Sequence, residues 1–255
     1  MRYELPMTEQ IRILLRIETL FQRFSFFLQQ ENAQQHHVAL QVLFEIIEVL
    51  NHSEIKKELL QALEKQSQSL VKLEGNPSVD SDKLKLTLDK IQALTDTLLK
   101  SHGKLSHTMR DNEWLMHIRQ RMTSLGGVCT FDLPSYALWL SQSPHNRHAD
   151  LELWIAPLMP VVHTTFLLLG LLRQRRHTLT LEAHQGSYQC LDVANLKNVQ
   201  LIAIDYAGDL PIYPEITANK YAINVRFLEA SKGLSRPVQT ALNIPFTIHF
   251  YQHHA

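Results

Sequence analysis

The sequence has little cysteine and no imbalance of charge, and each absence excludes a class of protein. Its 255 residues include two cysteines, Cys129 and Cys190, which are too few for a disulfide framework. We expect both thiols to be small buried apolar groups in a protein of a reducing compartment. Lysine plus arginine and aspartate plus glutamate number 25 each, so the formal net charge is zero. A general nucleic-acid binder needs an excess of basic residues, so the sequence argues against that class.

The short motifs of nucleotide-binding and nucleophilic enzymes are also missing. There is no Gly-x-Ser-x-Gly, no Walker loop and no Gly-x-Gly-x-x-Gly. We therefore expect no enzyme activity, no cofactor and no dependence on ATP or GTP. Cys129 follows the only adjacent glycine pair, Gly126-Gly127, but no histidine is indicated that would activate it. A packed side chain is the favoured interpretation of Cys129.

Histidine is abundant and leaves one enzymatic alternative open. Among 14 histidines, His145 and His148 with Glu152 have the spacing to bring nitrogen and carboxylate ligands together on one helix. The segment lacks the His-Glu-x-x-His pattern of a zinc site with its base. The favoured interpretation is a solvated helix start, and the alternative is a metal-dependent enzyme.

A long uncharged segment leaves a membrane alternative open. Trp154 to Leu172 carries no formal charge over nineteen residues and is followed by Arg173. Pro157 and Pro160 are predicted to break its first half, which leaves about twelve residues, a length that suits a buried core helix. The alternative is a membrane-associated helical protein. The first ten residues have no apolar run, so no signal peptide is predicted.

Before residue 177, apolar residues recur with the period of an α-helix. Thr8, Ser53 and Asp111 are the predicted N-caps of three helices, and Pro134 is the predicted first residue of another. The predicted apolar stripes run from Ile17 to Leu28, Leu40 to Leu50, Ile55 to Leu70, Leu84 to Leu98 and Trp114 to Met122.

After residue 177 the period shifts to two, which is typical of strands. Tyr221, Ile223, Val225 and Phe227 are predicted to face a core. Five or six such strands indicate an antiparallel β-sandwich-like domain. The sequence therefore predicts an α+β protein, with an all-helical domain over residues 7–176 and a small β domain over 177–255. Extended pieces at 1–6 and 128–133 are candidates to join the β domain.

Four segments, spread over most of the chain, carry a resemblance to a known family. The first holds Arg119-Gln120-Arg121, then Gly126-Gly127 and a short extended run to Pro134. The others are Tyr3 to Pro6 with Arg12 and Arg16, Glu54 to Leu60, and Ile212 to Ile216 with Lys220 and Arg226. Together, and in their order along the chain, they resemble the ZapD family of bacterial cytosolic division proteins.

The resemblance implies a dimer that binds the C-terminal tail of FtsZ. It also implies that the dimer crosslinks FtsZ filaments into bundles and promotes Z-ring assembly at midcell, in the cytoplasm. Neither nucleic acid nor membrane insertion is implied. The implied tail-binding surface is basic, because the planar fork of arginine pairs with carboxylates. Its predicted residues are Arg119, Arg121, Lys220, Arg226, Arg12 and Arg16.

Two features of this predicted surface have alternatives. Lys220 and Arg226 are predicted to share one face of a strand, but Ala222 stands between them where family members often carry a basic residue. Arg16 is equally explained by a structural salt bridge near Glu18. For each of these cations the alternative is a solvated charge on an exposed face.

Overall fold

The computed structural model describes residues 1–51, 54–101, 111–123, 127–129, 131–174, 176–190, 198–208, 211–219, 221–230 and 236–252. The chain divides into two compact units. One comprises Met1–Arg12 with Leu169–Ala255 and is built mainly of antiparallel strands. The other, Ile13–Leu168, is helical. The predicted α+β class is confirmed.

The helices follow the predicted apolar stripes. The stripe residues Ile17, Leu43, Ile47 and Leu63 are fully buried. The helices are α1 (Glu9–Leu28), α2 (Ala33–Asn51), α3 (Ile55–Val71), α4 (Ser81–Lys100), α5 (Glu113–Met122), α6 (Pro134–Ser141), α7 (Pro144–Ile155) and α8 (Met159–Gln174).

The residues at the starts of the helices can be compared with the predicted N-caps. The Thr8 hydroxyl accepts a 3.4 Å hydrogen bond from the Ile11 amide, as predicted for the N-cap of α1. The prediction of Asp111 is wrong by one residue. Asn112, in an extended conformation directly before α5, accepts from the Leu115 amide at 3.0 Å. Pro134 is the first residue of α6, as predicted, and Ser53 lies outside the described residues.

The extended run predicted between residues 128 and 133 is not a strand in the residues that are described there. The Cys129 carbonyl accepts hydrogen bonds from the amides of Asp132 and Leu133, at 3.1 and 3.0 Å. Both bonds close a turn that leads directly into α6. The turn therefore uses a carbonyl and two amides that a strand would pair with its neighbour, and Pro134 has no amide to donate.

The α-helix is interrupted near Pro157, as predicted, but the helical run continues through a 3₁₀ turn, so the predicted break is only partial. Pro157 lies in a 3₁₀ turn, Ala156–Leu158, that joins α7 to α8, and Pro160 is the second residue of α8. A proline is tolerated at either position because the amides of a first helical turn have no acceptor within the helix. The resulting helix, Pro144–Gln174, is long and apolar enough to cross a membrane by composition alone. Half of its most apolar window is buried in the structure, and core helices pass the same test.

The strands form two antiparallel sheets. The strands are β1 (Arg2–Pro6), β2 (Arg176–Ala183), β3 (Ser187–Cys190), β4 (Val199–Tyr206), β5 (Ile212–Ala218), β6 (Ile223–Glu229), β7 (Val238–Gln239) and β8 (Ile244–Gln252). One sheet has the order β1-β4-β8-β2, and the other has the order β3-β6-β5 with β7 also paired to β6. Seven strands thus follow residue 175 among the described residues, where five or six were predicted.

The two sheets enclose the apolar core of this unit. Alternation holds on β6, where Ile223, Val225 and Phe227 are buried as predicted. Tyr221 is a correction, since it is 65% exposed and precedes the strand. The Asn219 carboxamide oxygen accepts hydrogen bonds from the Tyr221 and Ala222 amides, so these residues form a turn.

The predicted N-terminal extended piece is β1, which pairs with β4. Arg2 donates two hydrogen bonds to the Asp205 carboxylate, at 3.0 and 2.7 Å, and these bonds lower the pKa of Asp205. Arg173 holds Glu4 in the same bidentate way, at 3.1 and 2.8 Å. Two arginine forks therefore fix β1 at the edge of its sheet.

Candidate functional site

Arg226 lies at the centre of β6 and points away from the sandwich core. Its neighbours Val225 and Phe227 are fully buried, so alternation along the strand places the guanidinium on the exposed face. The Arg226 Nε donates a 3.2 Å hydrogen bond to the Gln239 side chain. Glu215 on β5 is its register partner, and this carboxylate reduces the positive potential of the face.

Apart from Arg226 and Glu215, the described residues of this face are uncharged, and they include the buried Leu228. Asn224, Thr217 and Gln189 lie in register beside one another on β6, β5 and β3. Lys220 lies outside the described residues, and β6 begins only at Ile223. The predicted position of Lys220 on one strand face with Arg226 therefore stays a prediction, and Arg226 is the cation of this face among the described residues.

Arg119 and Arg121 both lie on α5 but have different surroundings. Leu115 and Ile118 are the buried residues of this helix. Arg119 is half-buried and forms an ion pair with Glu48 on α2. Arg121 is exposed, about 200° further around the helix at ~100° per residue. Arg119 therefore ties α5 to α2, and Arg121 is the accessible cation of the pair.

Arg12 and Arg16 are exposed on α1, one helical turn apart. The Arg12 Nε lies 3.1 Å from a carboxylate oxygen of Glu9, and both side chains are largely in solvent. Arg16 forms no ion pair with any described residue, so the salt bridge near Glu18 is not seen. The binding residues predicted from the sequence are thus divided between the two units, with Arg12 and Arg226 in one and Arg16, Arg119 and Arg121 in the other.

Two of the three residues of the metal alternative, His148 and Glu152, lie close together. His148 Nδ1 lies 3.5 Å from a Glu152 carboxylate oxygen, one turn along α7. Within the described ranges, no three histidine, cysteine or acidic residues are grouped as ligands for a metal ion. The two cysteines are half-buried thiols, where fully buried groups were predicted. Cys190 ends β3 and packs partly against the sandwich core.

A buried polar network in the helical unit was not predicted from the sequence. Arg147 on α7 is 4% exposed and donates to the carbonyls of Leu140, Gln142 and Glu31. Its Nε donates at 3.1 Å to Nδ1 of His36, which is fully buried. Burial and the nearby guanidinium lower the pKa of His36, which keeps the ring neutral and able to accept.

Beside this network, all three tryptophans of the chain pack together with Tyr136. Ring centroids of Trp114, Trp139 and Trp154 lie 5.5 to 6.1 Å apart, and Tyr136 stacks on Trp139. The Tyr136 hydroxyl lies 2.6 Å from Nδ1 of His37. Burial raises the pKa of Tyr136 and lowers that of His37, so the neutral hydroxyl donates to the neutral ring. This cluster and the Arg147 network fix α2, α6 and α7 around one another.

Residues 15–226 match the protein-family model described as "ZapD: Cell division protein". Three curated proteins named "Cell division protein ZapD" are similar over nearly their whole length. The protein of Chromobacterium violaceum is 43% identical over 246 residues, covering 96% of this chain and 97% of the relative. That of Ralstonia pickettii is 39% identical over 246 residues, with the same coverage. That of Aromatoleum aromaticum is 40% identical over 248 residues, covering 97% of this chain and 96% of the relative.

Proposed function

The chain belongs to the ZapD family of cell division proteins, and we propose that it binds the C-terminal tail of FtsZ and crosslinks FtsZ filaments. A tail that mixes acidic and apolar residues offers carboxylates to arginines on the surface of the chain. The resulting bundles promote Z-ring assembly at midcell, in the cytoplasm. This role needs no nucleotide, cofactor or catalytic group in the protein itself.

The observation that carries the proposal is the position of Arg226. Its guanidinium lies on the exposed face of a rigid strand whose inner residues are fully buried. One hydrogen bond to Gln239 orients the fork without neutralising its charge. An arginine held in this way can pair with a carboxylate through two parallel hydrogen bonds.

The other predicted cations have different roles in the proposal. Arg121, Arg12 and Arg16 are exposed and supply long-range attraction for an acidic segment. Arg119 is held by Glu48, so we propose for it a positioning role on α5. Lys220 remains part of the proposed surface because it lies close to Arg226 in the sequence.

Crosslinking follows from the presence of two tail sites in one assembly. We propose a homodimer, which carries one tail site per copy. Once one tail is bound, the second site meets neighbouring tails at a high local concentration. A weak contact at each site then suffices to hold two filaments together.

Charge reversal at Arg226 tests the proposed site. We expect Arg226→Glu to weaken binding of a synthetic FtsZ tail peptide about tenfold, because it removes an attraction and adds a repulsion. Fluorescence anisotropy measures the affinity, and circular dichroism checks that the fold is kept. The matched control is Lys85→Glu, which makes the same change of charge on the exposed side of α4. Equal affinities for the two variants would contradict the proposed site.

A further inference from the structure

The strand β2 forms an open edge of the four-stranded sheet. It pairs with β8 along one side, from Arg176 opposite Tyr251 to Ala183 opposite Ile244. No described residue pairs with its other side. In an antiparallel pair, alternate residues turn their amide and carbonyl away from the neighbouring strand. The open side of β2 therefore presents a row of unpaired backbone donors and acceptors.

The other edge strands in the described part of the chain are short or contain proline. β1 has five residues and ends at Pro6, and β5 contains Pro214. β7 has only two residues and follows Pro237, and β3 has four. Short length and proline both hinder the addition of a further strand. β2 has eight residues and no proline, so it is the edge that can accept one.

The inner face of β2 is covered only towards the end of the strand. Leu179, Leu181 and Ala183 lie opposite core residues of β8. Ala183 is fully buried and Leu181 is half-buried, whereas Leu179 is 40% exposed. The first half of the edge therefore holds an apolar side chain that the sandwich itself leaves uncovered.

A cation lies at each end of this edge. Arg176, the first residue of β2, is exposed and forms no ion pair with any described residue. At the other end, the Gln239 carboxamide donates to the carbonyl of Gln185, in the turn after β2, at 2.8 Å. The oxygen of the same carboxamide accepts from Arg226 Nε at 3.2 Å. Eight residues of strand span about 25 Å, so the edge separates two positively charged ends by roughly that length.

We propose that an extended segment with apolar and acidic side chains adds to β2 as a fifth strand of this sheet. The segment is the FtsZ tail of the proposed function, on which this inference rests. Its backbone pairs with the open side of β2, and one apolar side chain covers Leu179 on the inner face. Its carboxylates bind Arg176 at one end of the edge and Arg226 beyond the other.

The two faces of the edge select this kind of segment. Successive residues of an added strand point to opposite faces, so apolar residues can meet Leu179 while acidic residues stay in solvent beside Arg176. A helical segment would leave the edge unpaired, because its backbone groups bond to one another. Glu182 is the acidic residue of β2 and repels a carboxylate placed directly beside it. The register therefore favours acidic residues at the two cationic ends.

Backbone N-methylation of a synthetic FtsZ tail peptide tests the added strand. Each N-methyl group removes one amide donor and adds bulk at the point of pairing. At peptide residues whose amides pair with β2 we expect binding to the full chain to weaken about tenfold, and at the residues between them to change by less than about twofold. Fluorescence anisotropy measures these affinities. Weakening without a period of two along the peptide would overturn the inference.

Two variants of the chain test whether the strand adds to β2. We expect Leu179→Ser to weaken peptide binding about fivefold, because an apolar contact is lost, and Arg176→Glu about tenfold, because an attraction becomes a repulsion. The matched controls are Leu86→Ser, at a leucine that is 55% exposed on α4, and Lys85→Glu beside it. Both controls are expected within about twofold of the parent. All four side chains are exposed, so circular dichroism is expected to be unchanged.

The outcomes separate this inference from the proposed function. A peptide that binds Leu179→Ser and Arg176→Glu as tightly as the parent would overturn the added strand on β2 and leave the proposed function standing. A peptide that does not bind the parent chain would overturn both. Variants of β2 that keep the peptide affinity but change the oligomeric state would assign the edge to a second copy of the chain, and would overturn the inference.

Discussion

Arg147 is expected to be the most sensitive charged residue of the helical unit. Its guanidinium is buried and donates to three carbonyl oxygens and to Nδ1 of His36. Arg147→Met keeps a long aliphatic side chain and removes every donor. Four acceptors then lose their partners: the carbonyls of Leu140 and Gln142 at the C-terminal end of α6, the Glu31 carbonyl between α1 and α2, and His36 on α2.

The expected loss follows from the burial of these acceptors. A buried polar group left without a partner costs about 1 to 3 kcal/mol. Water can reach the three partly buried carbonyls, so we take the low end for each of them and for His36, and expect a total loss of about 4 kcal/mol. For a unit of this size that corresponds to a fall of about 8 to 16 °C in the melting temperature. Arg147→Lys keeps the charge but not the fork, and we expect it to lose about 2 kcal/mol.

Tryptophan fluorescence during thermal unfolding is a suitable assay, because all three tryptophans lie in the helical unit. The control is Arg16→Met, the same change at an exposed arginine of α1, which we expect to alter stability by less than about 0.5 kcal/mol. Equal melting temperatures for Arg147→Met and Arg16→Met would refute the structural role given to the Arg147 network.

Three further predictions concern turns, pH and salt. Gly186→Ala is expected to destabilise the β unit by more than about 2 kcal/mol, because φ is +70° and the added Cβ would lie 2.6 Å from the Thr240 carbonyl oxygen. Gly75→Ala, at φ +78° in open space, should cost only about 1 kcal/mol, and equal losses in denaturant titrations would contradict this. Because the pKa of His36 is lowered in the folded state, the unfolded chain binds its proton first. Stability should therefore fall as the pH drops below about 6.5, and less steeply in His36→Asn, whose amide oxygen still accepts from Arg147; parallel pH profiles would count against this. Binding of the FtsZ tail peptide should weaken as ionic strength rises, and an affinity that does not respond to salt would argue against an arginine–carboxylate interface.

Local patterns predicted much of the fold because they report on neighbours in the sequence. Apolar spacing predicted the buried faces of α1 to α5, and Thr8 was recognised as a cap from its place before an apolar run. The errors lie at the ends of helices and strands, where a shift of one residue changes which residue is the cap or begins the strand. Asn112 and not Asp111 caps α5, and Tyr221 belongs to a turn, because hydrogen-bond geometry at a boundary has no period.

Only the part of the candidate site that depends on the alternation of side chains along a strand could be predicted from the sequence. Period two placed Arg226 on the exposed face of β6. The pairing of Arg119 with Glu48 joins residues 71 positions apart, and the bond between Arg147 and His36 joins residues 111 apart. Such contacts depend on how helices pack, which spacing within one helix does not determine. The sequence therefore identified the cations and could not separate the accessible ones from those held inside the fold.

Co-sedimentation with polymerised FtsZ, full-length and without its C-terminal tail, tests the central claim most directly. The account predicts that the protein pellets with bundled full-length filaments and stays in the supernatant with filaments that lack the tail. Pelleting that does not depend on the tail, or no pelleting with either form, would contradict it.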